Sequence, residues 1–230
     1  MIKNIKNGII LILIVLAFNA CTEEYVTDAG VSKAETELTA YDYLKTHKYH
    51  MFDSIVKVID VLNLKDKVNA SGTFFAPTDY GLNSFLSQKT FDLQVRFPDS
   101  TYTINSLIND PEATENYILQ YAFKERITLT DATTDGKVYE TLAGNEITIQ
   151  KRVATDAVYT QYTDVPTYFL FYIKPNEIRR IRGIQYDIEF ELEQCQTTDI
   201  LTQNGSGTVL NVLNSQHVFD YFSIKSSTKI

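Results

Sequence analysis

Hydrophobic residues recur at two different spacings along this chain. In the first half the spacing is helical: apolar residues fall every three or four positions over 51–64, and Thr39 predicts the N-cap of an earlier helix that ends near His47. A short apolar run at 73–77 predicts a buried strand. Asp79, two residues after this run, predicts the N-cap of a helix through Leu86.

The second half favours strands. Residues 87–110 lack a period and predict an irregular segment, and Pro111 begins a further helix in which Tyr117, Ile118 and Tyr121 share a face. Two strands are predicted at 137–140 and 146–153, and at least two more lie between 157 and 193, with an interruption near 174–176. A last strand is predicted at 208–213, after a turn at 204–207. Because helices come early and strands late, we expect an α+β fold, with N-terminal helices packed on a mixed β-sheet or a β-sandwich.

The first 20 residues predict a removable leader. Lys3 and Lys6 precede an apolar stretch that is too short for a membrane-spanning helix, which needs about 20 residues. This stretch ends in small residues before Cys21, a pattern that resembles a bacterial lipoprotein signal. The resemblance implies that the mature chain begins at a lipidated Cys21 and is anchored by several acyl chains, because one chain binds only marginally.

Glu23 and Glu24 follow the predicted lipid site. An acidic pair at this place resembles the export signal of Bacteroidetes lipoproteins, which implies the outer leaflet of the outer membrane; two solvated linker residues are the alternative. Residues 21–38 are polar and acidic, which predicts a flexible tether. The folded domain is then expected over 39–230.

The charge of the predicted mature chain limits its partners. Removal of the two leader lysines leaves 19 of the 21 basic residues against 29 acidic ones, so the formal charge is −10. This argues against nucleic acid and anionic lipid surfaces, which both require a basic face. With Cys21 acylated, Cys195 is the remaining thiol, and at the end of an alternating strand it is expected to be a small buried apolar residue.

Four segments in order resemble the fasciclin domain. They are T-F-F-A-P-T-D at 73–79, the helix pair at 40–64 before it, T-L-A-G at 141–144, and D-I-L-T-Q-N-G at 199–205 followed by V-L-N-V-L at 209–213. The resemblance implies a single fasciclin-like domain of this fold with a binding role. Many fasciclin domains carry a Tyr-His pair and a second-box His, where this chain has Tyr121-Ala122 and Asn211. Asp199 matches an Asp-Ile pair linked to integrin binding in animal relatives, but we interpret it as a structural cap.

No catalytic pattern is evident, and we expect neither enzymatic activity nor a cofactor. His47 and His50 lack the companions of a metal site and are interpreted as residues at a helix end. Glu189, Glu191 and Glu193 alternate along a predicted strand, which favours a solvated strand face over acid–base catalysis.

Three sets of residues are candidates for binding or modification. Tyr159, Tyr162 and Tyr168 could contact a glycan or a protein, although cross-strand packing is the simpler explanation for each of them. Arg180 and Arg182 could hold a carboxylate or sulfate, unless they pair with acids of this chain. Ser100, in a D-S-T segment, matches the O-glycosylation pattern of Bacteroidetes.

The expected function follows from the resemblance. Surface lipoproteins of this kind in Bacteroidetes often accompany a TonB-dependent transporter of the starch-utilisation (Sus) type and its lid lipoprotein, which implies an accessory role in nutrient uptake. A free-standing adhesin that binds a host surface protein, or a glycan-binding protein, is the alternative. A patch near the membrane-proximal end favours the accessory role, and a distal patch favours the adhesin.

Overall fold

The computed structural model describes residues 34–219, apart from 111–114, 162–163 and 182–183. The predicted leader, Cys21, Glu23 and Glu24 lie outside the described residues, as do Tyr162 and Arg182. Within the described part, no helix is long and apolar enough to cross a membrane.

The described helices are α1 (Ala40–Lys45), α2 (Asp53–Val61), α3 (Lys65–Ala70), α4 (Asp79–Gln94), α5 (Ile104–Ile108), α6 (Asn116–Leu119) and α7 (Ala157–Thr160). The Thr39 hydroxyl caps α1 by accepting from the backbone N–H of Asp42, as predicted. The irregular segment predicted at 87–110 is wrong in part, because α4 continues to Gln94 and α5 follows it. The predicted helix at 51–64 is shorter than expected, and α3 was not predicted.

The predicted role of Asp79 is also wrong, because its carboxylate caps α2 instead of its own helix. It accepts hydrogen bonds of 3.0–3.3 Å from the backbone N–H groups of Ser54 and Ile55. These belong to the first turn of α2, where free N–H groups attract a negative charge. The Asp79 N–H donates to the carbonyl of Met51 at 2.8 Å, so the start of α4 is fixed against the start of α2.

Seven strands form one mixed sheet in the order β2-β1-β7-β6-β5-β4-β3. They are β1 (Thr73–Ala76), β2 (Ala122–Phe123), β3 (Lys137–Glu140), β4 (Glu146–Val153), β5 (Tyr168–Ile181), β6 (Ile184–Leu201) and β7 (Val209–Leu213). β1 and β7 are parallel, and the other pairs are antiparallel. A bridge between Phe123 and Thr141 brings the two edges together, so the sheet is nearly closed into a barrel. The structure thus confirms the predicted mixed sheet, whereas the described strands do not form a two-sheet sandwich.

The long strands differ from the sequence prediction at two places. β5 continues through Pro175, where an interruption was predicted, and β6 continues past Cys195. Pro175 is tolerated because β4 pairs with β5 only as far as Ile173, so this part of β5 has one neighbour and a missing N–H costs little.

The core is one cluster of buried residues that come from both the helices and the sheet. Phe74 and Phe75 of β1 are fully buried, and each contributes about 1.5–3 kcal/mol by burial. The Phe75 ring lies 5.5 Å from that of Phe123 and 5.3 Å from that of Tyr172. Ile55 and Ile59 of α2 belong to the same cluster.

The end of the predicted tether is bound to the sheet. The Leu201 N–H donates to the Ala34 carbonyl at 2.8 Å, and the Leu201 carbonyl accepts from Thr36 N–H at 3.0 Å. Leu38 accepts from the N–H of Gln203 at 3.0 Å. The prediction of a flexible tether through residue 38 is therefore wrong for 34–38, which lie along the end of β6.

Candidate functional site

The predicted tyrosines do not form a single platform. Tyr159 on α7 is half-exposed, and its ring stands edge-on to Phe169, with the centroids 5.1 Å apart. Tyr168 has the ammonium of Lys151 5.6 Å from its ring centroid. Because Tyr168 and Phe169 are consecutive in β5, they face opposite sides of the sheet. Tyr159 and Tyr168 are therefore separated by the strand.

Tyr159 instead belongs to an exposed apolar surface, which we call the α7 patch. Val158 is 69 % exposed, Tyr159 45 % and Val165 61 %, and all three lie on the segment that connects β4 to β5. The Ala154 N–H closes this segment by donating to the Thr167 carbonyl at 2.8 Å. Val153 is also exposed, but it pairs with Tyr168 and therefore faces the other side of the sheet. The sequence singled out Tyr159 but not the two valines, because solvent exposure within a connecting segment leaves no hydrophobic period to detect.

The α7 patch lies at the end of the sheet to which the tether is bound. β5 is antiparallel to β6, with Phe171 opposite Gln194. The start of β5 at Tyr168 is therefore level with the last part of β6, which ends at Leu201 where the tether pairs. Ile184 lies at the opposite end of β6 from the tether.

The predicted anion site is described only by its backbone. Arg180 lies in β5 opposite Gln185, close to the end of the strand pair. Because Arg182 lies outside the described residues, a joint grip on a carboxylate or sulfate stays a prediction.

The modification candidate and the thiol occupy different environments. Ser100 is half-buried in the turn after α4, and its N–H donates to the Phe97 carbonyl at 3.0 Å; its glycosylation stays a prediction. Cys195 is buried, and burial raises the pKa of its thiol well above the usual range. The thiol is therefore un-ionised, which confirms the interpretation of Cys195 as a small buried residue.

A buried polar contact joins three distant parts of the chain. The Tyr121 hydroxyl lies 2.8 Å from Nε2 of His217, and Nδ1 of His217 lies 3.5 Å from a carboxylate oxygen of Glu193. Tyr121 and His217 are both buried. Sequence reasoning missed His217 as a partner, because 96 residues separate it from Tyr121 and no local pattern marks it.

Asp199 makes the contacts of a structural residue. Its carboxylate accepts from the Leu129 N–H at 2.9 and 3.2 Å, and its own N–H donates to the side-chain oxygen of Asn211 at 2.9 Å. Burial is the main cause that raises the pKa of this carboxyl. Both side chains are used inside the domain, which agrees with the structural interpretation of Asp199.

The described residues contain no cluster of three metal-binding side chains. The His47 ring lies among those of Tyr43, Tyr49 and Phe52, and burial, followed by the nearby His50, lowers its pKa. Nδ1 of His50 lies 3.2 Å from the Asp53 carboxylate, so the two histidines have separate surroundings.

Comparison with known proteins agrees with the fold. The fasciclin domain family model matches residues 50–167, just over half of the chain, and this segment includes the first box and the T-L-A-G hairpin. The second box at 199–213 lies beyond the matched segment. A comparison with curated proteins gave no match. Fasciclin domains are generally non-enzymatic adhesion domains, and on this match the chain belongs to the fasciclin domain family.

Proposed function

We propose that this chain is a surface-exposed lipoprotein of the outer membrane whose fasciclin domain binds a TonB-dependent transporter and its lid lipoprotein. The leader pattern before Cys21 supports the lipid anchor, and Glu23 and Glu24 support export to the outer leaflet. Anchoring confines the domain to the membrane plane and raises its effective concentration at a membrane-bound partner, so modest contacts suffice for binding.

The position of the α7 patch carries this proposal. The twelve residues between Cys21 and Ala34 span at most about 45 Å when fully extended. Because the tether then joins the end of β6, this end of the domain stays within about 45 Å of the bilayer. The α7 patch is at the same end, where a partner embedded in the same membrane can reach it.

The chemistry of the patch favours a protein partner. Two exposed valines and a half-exposed tyrosine ring offer apolar area of the kind that protein interfaces bury at their centres. A glycan platform of the stacking type uses several ring faces on one surface, whereas Tyr159 packs against Phe169 and Tyr168 lies on the other side of the sheet.

The test is recovery of partners from native outer membranes. The chain is tagged at Ile230 and extracted with a mild detergent, and its companions are identified by mass spectrometry. Val158→Glu places a charge in the α7 patch. Val95→Glu is the matched control, since Val95 is 67 % exposed against 69 % for Val158 but lies at the end of α4.

We expect stoichiometric recovery of a transporter and its lid with the unmodified chain and with Val95→Glu. With Val158→Glu the recovery should fall at least tenfold, which corresponds to a loss of about 1.4 kcal/mol of binding free energy. Recovery of the lipoprotein alone would overturn the accessory role in favour of an adhesin. Equal recovery with both variants would show that the α7 patch is not the interface. Extraction of the chain in the absence of detergent would exclude the lipid anchor.

A further inference from the structure

Residues 34–38, the part of the tether that we call the strap, bind the end of β6 through backbone hydrogen bonds. Strap carbonyls accept from the N–H groups of Leu201 at 2.8 Å, Gln203 at 3.0 Å and Asn204 at 2.9 Å, and the Thr36 N–H donates to the Leu201 carbonyl at 3.0 Å. None of the strap residues is buried, and Leu38 is 39 % exposed. Surface hydrogen bonds without buried apolar contacts are typical of a segment that opens locally.

The strap is bound where the backbone of the domain is strained. The turn from Thr202 to Gly205 has positive φ at both central residues, 49° at Gln203 and 52° at Asn204. Turns with this backbone favour glycine, asparagine or aspartate at these two positions, so Gln203 is an unfavourable residue there. A strained backbone persists only where its surroundings hold it. The strap is part of these surroundings, because its carbonyls accept from the N–H groups of both central residues.

The base of this turn is fixed without the strap. Thr202 and Thr208 are both buried, and the Thr202 hydroxyl donates to the Thr208 carbonyl at 2.7 Å. The Thr208 hydroxyl lies 2.8–3.2 Å from the carbonyl oxygens of Val68, Asn69 and Ser71, which precede β1. A change of backbone conformation between the two threonines can therefore leave the sheet intact.

We propose that the strap is a releasable latch with two states. In the bound state it holds the turn at 202–205 in its left-handed conformation. In the released state the turn relaxes and residues 34–38 join the free part of the tether. The strain in the turn is the link between the two, because the strap carbonyls that stabilise the left-handed residues are the groups that leave.

The latch changes the reach of the domain. Residues 34–38 add about 17 Å to the free tether when they are extended. If the chain is lipid-anchored as proposed above, release allows the domain to follow a partner that lies farther from the bilayer. The latch itself does not require the lipid anchor, since all its contacts lie within the domain and the strap.

Two hydrogen bonds inside the loop distinguish a latch from simple fraying of the strap. The Gly205 N–H donates to the Thr202 carbonyl at 3.0 Å, and the Ser206 N–H donates to the Gln203 carbonyl at 3.2 Å. Neither bond includes an atom of the strap. These two N–H groups therefore lose protection from exchange on release only if the turn changes conformation together with the strap.

The test is hydrogen exchange of the full chain in a non-ionic detergent, read at single residues by mass spectrometry. Thr36→Pro removes the N–H that donates to Leu201, which favours the released state. Thr36→Ala is the matched control, because it also removes the hydroxyl but keeps the N–H. Gln203→Gly removes the strain, since glycine adopts positive φ freely. The Phe75 N–H, which donates to the Tyr121 carbonyl at 2.9 Å in the core, checks that each variant is folded.

In the unmodified chain, the N–H groups of residues 203–206 should share one protection factor, lower than that of Phe75, because they open together. Thr36→Pro should lower this protection about tenfold, whereas Thr36→Ala should leave Gly205 and Ser206 within about threefold. In the Gln203→Gly background, the effect of Thr36→Pro on Gly205 and Ser206 should fall below about threefold, because the turn then keeps its conformation without the strap.

Protection of residues 203–206 equal to that of Phe75 in the unmodified chain would show that the strap is not released. A Thr36→Pro chain in which Gly205 and Ser206 stay protected would show that the turn does not depend on the strap, and an equal effect in the Gln203→Gly background would exclude strain as the link. Each result would overturn the proposal. If Thr36→Pro also exposes Phe75, the common opening in the unmodified chain decides. The result is independent of the transporter test, since exchange needs neither a partner nor Val158.

Discussion

Substitution of Asp199 separates the backbone, hydrogen-bond and charge contributions of one residue. Asp199 is 7 % exposed, and its φ of 58° lies in the left-handed region that few residues other than glycine adopt. Asp and Asn tolerate this region better than other residues with a Cβ. The carboxylate is the side-chain acceptor for the Leu129 N–H.

The structure gives a different magnitude for each variant. Asp199→Ala loses the acceptor, at about 1–3 kcal/mol, and adds about 1–2 kcal/mol for an alanine at positive φ. Asp199→Gly loses the acceptor but adopts positive φ freely, so the cost falls to about 1–3 kcal/mol. Asp199→Asn keeps an acceptor oxygen and the backbone preference, and its stability at pH 7 should stay within about 1 kcal/mol of the unmodified chain.

The pH dependence follows from the raised pKa of Asp199, which is caused mainly by burial. Its folded-state pKa lies above the unfolded value of about 3.9, so the folded state binds the proton more tightly. The stability from this group is complete below the unfolded pKa and is lost as the pH rises through the folded pKa. An asparagine side chain does not titrate, so Asp199→Asn should gain stability relative to the unmodified chain as the pH rises through this window.

Urea unfolding measures these differences as changes of the midpoint at constant slope. The order of stability should be Asn above Gly and Gly above Ala at position 199. If Asp199→Asn is as unstable as Asp199→Ala at pH 7, the argument from the acceptor and the backbone is wrong. If Asn and Gly are equal, the hydrogen bond to Leu129 contributes nothing measurable.

Two further substitutions test the packing around His217. Tyr121→Phe removes the hydroxyl that lies 2.8 Å from Nε2 of His217, and it should lower the free energy of unfolding by about 1–3 kcal/mol in the same urea assay; an unchanged midpoint would refute the contact. Gly81→Ala would place a Cβ 2.4 Å from the carbonyl oxygen of His217, so we expect a loss of about 1–3 kcal/mol despite the better helix propensity of alanine. Ser84→Ala, on the same helix, is the control and should have little effect.

Local signals in the sequence were sufficient for several elements. The bounds of β3 and β4 match the predicted strands, because alternation and the turn between them are properties of adjacent residues. The same holds for the Thr39 cap, because its hydroxyl and the Asp42 N–H belong to residues only three positions apart.

Elements that depend on distant parts of the chain were not predicted correctly. Asp79 was assigned to its own helix, because sequence does not show that the start of α2 lies within 3.3 Å of its carboxylate. Pro175 suggested an interruption, but whether proline is tolerated depends on how far the neighbouring β4 extends. For the candidate site, Tyr159 could be selected from the sequence because it is aromatic. That exposed valines lie near it, at the end of the sheet where the tether binds, could be seen only from the structure and its sheet register.

His217 also shows that a buried hydroxyl can receive its partner from a distant part of the chain. In the resemblance to fasciclin domains, a histidine directly follows the tyrosine at the end of the middle helix, and here that position is Ala122, which has no polar side chain. A buried phenol that loses its partner is costly, so another group must supply the contact. The segment after β7 supplies it, because the Phe219 N–H donates to the Gly81 carbonyl at 3.1 Å and its ring stacks on Tyr121. The backbone of α4 thereby fixes the segment that delivers His217, and the polar contact of Tyr121 depends on Gly81 although the two residues are far apart in sequence.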